Sequence, residues 1–329
     1  MKPVVRTLSL AVLVAALFAA VAAVQARQRR ARADAAPDAG PTSAPSAETA
    51  RPEVPEGERL VALDAGLAEA VCMLGLGDRL VARSASTDFP ESLAELPVVM
   101  GTDGAIDFDA LAAARPALVL LTEAGMSAAH AELASRRISH LAVRTGTLPD
   151  LCQGIFELGT RFGADEAAGI WLEQIEQRTA RAADAVSVAV SRAGGRTPSV
   201  LIVLGRLPTV PATVVVAGRD SFHQGVLEGV GLPNACEATG SWVALSVDEA
   251  AALAPDIVLE VRPSAADAAA AVVGAATDWA PFPAVPAVRA RAVFAVAGAW
   301  ALRAGPRVDG LYGLLADCAD SWASRVSAP

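Results

Sequence analysis

Two periods of apolar residues alternate along this chain, one helical and one extended. Between Asp165 and Arg192 the period is helical: Trp171, Ile175, Ala182, Val186 and Val190 fall on one stripe, Glu173, Glu176, Arg181 and Asp184 fall on other faces, and no proline interrupts the run. Asp165 is placed as the N-cap after the flexible Gly163, and Gly194-Gly195 supplies the stop, where no side chain opposes a left-handed turn. At about 1.5 Å per residue the run makes a rod of roughly 42 Å, longer than an ordinary crossover helix. Such a rod either runs along two small domains or is an unusually long crossover within one sheet.

On either side, short apolar strands alternate with helical stretches. RLVALDAG is a strand ending at Asp64, followed by a helical run Leu67–Leu74, the turn Gly75–Asp78 and the strand LVARSAS. Next come a strand over Pro97–Gly101, a helix Asp109–Ala114, a buried strand Ala117–Thr122, a helix around Ser127–Arg136, a strand Ile138–Val143 and a helix Leu148–Phe162. After the rod, strands are predicted over Val200–Leu204, Thr213–Ala217 and Ala292–Ala297, with a last helix over Val308–Ala323. The alternation is that of α/β architecture. FDALAAARPALVLL at 108–121 is echoed by VDEAAALAPDIVLE at 247–260, each with an aspartate seven residues before a proline and then an apolar strand. Internal similarity at long period marks duplicated units. Two similar three-layer α/β lobes joined by one long α-helix follow: an N-terminal lobe over 58–163, the linking helix over 164–195 and a C-terminal lobe over 196–329.

Composition narrows the chemistry. With 329 residues and 53% hydrophobic content the chain can bury a substantial core. Its net charge of −9 becomes −11 if residues 1–26 are lost together with Lys2 and Arg6, and no basic stripe appears, so nucleic acid is not a partner. Lys2 is the sole lysine, which excludes a lysine-bearing phosphate loop or Schiff base in a mature form. Leu8–Val24 is an apolar run behind Lys2 and Arg6, the pattern of an export signal or an N-terminal membrane anchor over 1–26. Residues 27–57, rich in Ala, Pro, Ser and Glu, are predicted to be a disordered tether. Cys72, Cys152, Cys236 and Cys318 lie far apart without CxxC spacing, so no metal cluster is indicated.

At RLVALDAGLAEAVCMLGLGDRLV, the proline-anchored strands at Pro116 and Pro255, VVVAGRDSFHQGVLEGVGLPNA and LRAGPR, the chain resembles the periplasmic binding proteins that feed vitamin B12, haem and iron-siderophores to ABC importers. The resemblance covers roughly Arg59 to Ala319. It implies an exported substrate-binding protein of the cell envelope, partnered by an ABC permease and its ATPase, with a bulky metal chelate or corrinoid held in a cleft between the lobes by loops at the strand ends. Candidate lining residues are Asp64, Asp103, Glu123, Arg206, Arg219, His223, Trp242, Arg262 and Trp300. Trp242, six residues before Asp248, matches in spacing an aromatic that B12-binding members set against their ligand. The corresponding first-lobe positions carry Asp103 and Glu123, where B12 binders show aromatics.

The carboxylates favour a ligand with amines or bound metal, and the arginines favour carboxylates or hydroxamates. Haem-binding relatives use tyrosine or histidine on iron. Tyr312, the only tyrosine, falls in the last helix, and His130 and His140 fall in a peripheral helix and strand. Asp109 and Asp248 occupy positions where relatives carry a glutamate on each lobe that pairs with arginines of the importer, and Glu249 is a possible substitute for the second. Two other classes stay open from the residues: a membrane-tethered protein-interaction module that kept the fold and lost its small ligand, and an enzyme. For the latter no GxSxG, HExxH, GxxxxGK or suitably placed GxGxxG is present, and no cofactor is expected.

Overall fold

The computed structural model describes residues 55–123, 127–207 and 213–327; the signal or anchor segment and nearly all of the tether lie outside them. The described chain divides into two compact units, one within Met1–Leu121 and Ala128–Leu141, the other Thr122–Ser127 and Ala142–Pro329. Two separate sheets of five strands account for the α/β content, so the long helix is not a crossover within one sheet.

The first sheet is built from β1 (Leu60–Ala62), β2 (Leu80–Ser84), β3 (Val98–Met100), β4 (Leu118–Thr122) and β5 (His140–Val143), in the order β3-β2-β1-β4-β5. β2 and β4 flank β1 and run parallel to it, and β3 runs parallel to β2. The intervening helices are α1 (Ala65–Met73), α2 (Phe108–Ala113) and α3 (Ser127–Ser135). β1 is fully buried along its length, as a strand covered on both faces by crossover helices must be.

The chain then forms α4 (Leu148–Phe162) and α5 (Asp165–Arg192). The extent of α5 is that predicted from its periodicity, and left-handed Gly194 and Gly195 follow it at φ 73° and 86°. Its start differs: Ala164 is the N-cap and makes no side-chain cap, so Asp165 is the first helical residue, where its charge still faces the positive end of the helix dipole. Ala168, Trp171, Ile175, Ala182, Val186 and Ala189 are the buried stripe. That stripe packs on α10 (Asp309–Val326), which runs in the same direction: Trp171 Nε1 donates to Pro306 O at 3.2 Å, Arg178 pairs with Asp309 at 2.9 Å, and Arg192 pairs with Asp320 at 2.5 Å.

The second sheet comprises β6 (Val200–Arg206), β7 (Thr213–Ala217), β8 (Trp242–Ser246), β9 (Ile257–Arg262) and β10 (Val293–Ala297), ordered β10-β9-β6-β7-β8. β6, β9 and β10 are parallel, whereas β7 is antiparallel to both β6 and β8. The helices are α6 (Phe222–Gly229), α7 (Val247–Ala252), α8 (Ala268–Trp279) and α9 (Pro286–Arg289). Leu201, Val203, Val214, Val216, Val258 and Trp279 form one core of this sheet. All five tryptophans of the chain, Trp171, Trp242, Trp279, Trp300 and Trp322, belong to the second unit.

The repeated segment repeats in structure. Each copy is a short helix, α2 or α7, closed by a non-glycine residue in the left-handed region, Arg115 at φ 45° or Ala254 at φ 49°, then a proline, then a strand. Each strand enters its sheet beside the lobe's first strand: Ala117 N–H donates to Arg59 O, and Ile257 N–H to Ser199 O.

Candidate functional site

The loops that leave the C-terminal ends of β1 to β4 carry acids. Asp64 caps α1, its Oδ1 accepting from Leu67 N–H at 3.0 Å. Asp103 is exposed in the Gly101–Ile106 turn, where its Oδ1 accepts from Ala105 N–H at 3.0 Å. A side chain at Gly101 would meet that carboxylate, which would have to turn aside. Glu123 follows β4 and is exposed. With strands about 4.8 Å apart, the order β3-β2-β1-β4 sets Asp103 and Glu123 on strands three places apart.

Arg206 and Arg262 end the neighbouring parallel strands β6 and β9, and the structure brings them together on one carboxylate. Glu260, 1% exposed, accepts from Arg206 Nε and Nη2, both at 3.0 Å, lies 2.7 Å from Arg262 Nη2, and accepts from Trp279 Nε1–H at 3.0 Å. Asp278 closes the cluster, 3.2 Å from Arg206 Nε and hydrogen-bonded to Arg262 Nη2. Burial lowers the Arg206 pKa, but the Glu260 hydrogen bond and the charges of Glu260 and Asp278 outweigh it and hold the guanidinium above its usual value. The guanidinium of Arg262 lies over Gly274 of α8, where any Cβ would collide with it. The cluster sums to zero charge, two guanidiniums against two carboxylates.

The sequence marks the two arginines as candidates, but not Glu260, Asp278 or Trp279. The available signal was an acid inside the otherwise apolar run DIVLEV, which could not remain there unpaired.

Register separates the other candidates of the second sheet. Trp242 pairs with Ala217 and Val216 pairs with Val203, so Trp242, half-buried at the start of β8, and exposed Arg219 lie towards the end where β6 begins. Trp300, half-buried, follows β10 in a short 3-10 turn and packs over Gly310. His223 is the second residue of α6 and is 1% exposed, with Ser221 as the cap. Its Nε2 lies 2.8 Å from Ala301 O and its ring stacks on Phe222. Burial pushes its pKa down to about 4, against the smaller opposing effect of that backbone bond, so the imidazole is neutral. Tyr312 is buried in α10, where burial raises its phenol pKa, and His130 and His140 contact each other edge to face at 5.1 Å.

Asp109 and Asp248 are both exposed and hold the same helical position, the second residue of α2 and of α7. Asp107 caps the first helix, accepting from Asp109 N–H and Ala110 N–H. Ser246 caps the second in a capping box with Glu249, whose carboxylate accepts from Ser246 N–H and Oγ–H, both at 2.8 Å. Those bonds hold the Glu249 pKa below its usual value and turn its carboxylate back onto the helix start. Among the described residues no group of three or more His, Cys, Asp or Glu side chains could hold a metal ion, and no helix is long and apolar enough to cross a membrane.

Comparison with known proteins places these features in context. The family model for periplasmic binding proteins matches residues 60–295. A periplasmic heme-binding protein from Pseudomonas aeruginosa superposes with a TM-score of 0.67 at 25% identity, over 79% of this chain and 91% of that one. One from Roseiflexus sp. RS-1 gives 0.65 at 22% identity, over 81% and 99%. A periplasmic vitamin B12 binding protein from Vibrio cholerae gives 0.64 at 17% identity, over 83% and 98%. The last two likenesses are of fold. No curated protein matches the sequence.

Proposed function

Because the chain belongs to the periplasmic binding protein family, we propose that it is the extracytoplasmic substrate-binding component of an ABC importer, capturing a bulky iron chelate, haem or corrinoid. The family match over 60–295 carries this reading, and two α/β sheets separated in the chain by a 28-residue helix support it. The ligand contacts are assigned to the loops after the C-terminal strand ends: Asp64, Asp103 and Glu123 on the first sheet and half-buried Trp300 on the second, whereas Trp242 and Arg219, towards the end where β6 begins, fall outside this set. Arg206 and Arg262 support that surface through Glu260, and His223 supports it by holding the turn that carries Trp300. A broad half-buried indole suits a large planar or chelated ligand. Asp109 and Asp248 are the importer contacts in this reading, being the exposed acids that the repeat places alike on both helices.

The N-terminal segment and tether export the protein and hold it at the envelope, and the protein binds its substrate without turning it over. The test is native mass spectrometry of the full chain purified from its own host. A co-purifying metal chelate or corrinoid is the expected result. A ligand-free protein whose tryptophan fluorescence ignores ferric chelates, haemin and cobalamin alike overturns the reading.

A further inference from the structure

We propose that Asp278 holds the place of an anionic group of the ligand: when it swings aside, Arg206 and Arg262 take a carboxylate at the position that its Oδ2 occupies. The inference rests on the receptor reading above and adds one recognition element with its chemical class. All of the residues involved belong to the second unit.

The two carboxylates of this cluster are not equivalent. Glu260 is sealed: its side chain is 2% exposed, and its two oxygens meet Arg206 Nε and Nη2, Arg262 Nη2 and Trp279 Nε1. Asp278 has a side chain 38% exposed and reaches the arginines through one oxygen. That Oδ2 accepts from Arg262 Nη2 and lies 3.2 Å from Arg206 Nε, two groups that Glu260 already engages. Asp278 is also the last residue but one of α8, so its charge sits at the negative end of the helix dipole, where it is disfavoured. A partly exposed pair of this kind contributes little, whereas the buried pair cannot open without stranding a charge. Asp278 is therefore the member that leaves.

With Asp278 turned into water, Glu260 still fixes both guanidiniums, and the cluster carries one net positive charge. No other charge on the surrounding elements cancels it. β6, β9, β10 and α8 hold no further charged side chain, and Asp267 is engaged at the opposite end of α8 as its cap. Beyond the same end of β10 come Arg303 and Arg307, each with a partner of its own, and Asp309, paired with Arg178. Asp248 and Glu249 open α7 after β8, which stands two places from β6. Arg262 Nε is buried without a hydrogen-bond partner, a donor that Asp278 leaves unsatisfied. The side chains of Arg206 and Arg262 remain 24% and 21% exposed, so solvent reaches them from outside. A free carboxylate can approach with both oxygens where Asp278 offers one, and the two arginines end parallel strands at the edge where open α/β sheets take their ligands.

The test is a binding series on the full chain by tryptophan fluorescence and calorimetry, with three pairs of compounds that differ in a carboxylate. The pairs are a ferric linear trihydroxamate whose amine is capped with succinate or with acetate, haemin and its dimethyl ester, and a cobalamin monocarboxylic acid and cobalamin itself. In whichever pair binds, the carboxylate member is expected to bind about tenfold tighter, as a charge-assisted bond to arginine provides. Asp278→Ala removes the competing carboxylate and should raise that ratio about fivefold further. Asp278→Asn, which keeps the shape and loses the charge, should raise it in smaller measure, and Arg262→Gln should bring it close to one. Asp317→Asn removes an exposed charge from α10 and should leave the ratio unchanged. A ratio near one in the native chain, no rise in either Asp278 variant, an unchanged ratio in Arg262→Gln, or an equal rise in Asp317→Asn overturns the inference and leaves the receptor reading in place. Failure of all the compounds to bind removes the receptor reading itself, and this inference with it.

Discussion

The two sheets share a strand order and differ in one direction. Counted outward from the middle, β3-β2-β1-β4-β5 and β8-β7-β6-β9-β10 are the same arrangement, yet β2 is parallel to β1 and β7 is antiparallel to β6. The half of each sheet that was duplicated most faithfully is the helix, left-handed residue, proline and strand at 108–122 and 247–261, where even the non-glycine left-handed residue recurs. The candidate ligand residues fall in both halves: Asp103, Arg219 and Trp242 in the one that diverged, Glu123, Arg262 and Trp300 in the other. Of the four positions in the shared module that differ in charge, one lies within the strand: Leu121 in the first aligns with Glu260 in the second, and both are buried. An apolar residue at the first needs no partner, whereas the acid at the second is met by two arginines.

The largest test of this comparison is at that position. Glu260→Ala strands two guanidiniums around an empty site and is expected to cost about 3–5 kcal/mol. Leu121→Ala leaves a cavity for about 2–5 kcal/mol without altering any charge. Hydrogen exchange resolved by mass spectrometry should show the first loss in β6, β9 and α8 and the second in β1 and β4. A Glu260→Ala effect no larger than that of Asp278→Ala would mean that the cluster is not held as a unit.

Acid should come next. His223 has a folded pKa of about 4 against an ordinary 6.5, so between those values the unfolded chain binds the proton and the folded one does not. Stability is complete above about pH 6.5 and falls by about 3 kcal/mol as pH drops to 4. His223→Gln should flatten that slope in urea titrations at successive pH values, and an unchanged slope would place the sensitivity elsewhere. Smallest are the caps. Asp107→Ala and Ser246→Ala should each cost about 1 kcal/mol. Near-equal costs, read from chemical denaturation, would confirm that α2 and α7 are counterparts in energy as well as in shape.

Much of the architecture was legible in the sequence because its cues are local. Five apolar residues at helical spacing and a Gly-Gly stop located α5, and a proline before each of two apolar runs located β4 and β9. The cap of α5 was misplaced because Asp165 and Ala164 compete for one position and only backbone geometry decides between them. β8 was invisible because WVALS runs straight into the capping Ser246 of α7 and is a strand only by pairing with β7. α8 was invisible because AAAAVVGAATDW has no polar face and carries Gly274 in its middle, a glycine needed for the guanidinium of Arg262. The candidate residues were legible as types and not as partners. That Arg206 and Arg262 share one carboxylate, or that Arg219 and Trp242 lie near the start of β6, depends on which strands are neighbours and in which direction they run.

Every indole of this chain sits in one of its two units, so the protein is optically one-sided. Excitation at the tryptophan band watches the second unit melt, titrate or meet a ligand while the first stays dark. A single indole introduced into that silent half, at exposed Phe89 for instance, would turn the same instrument into a reporter of the other side.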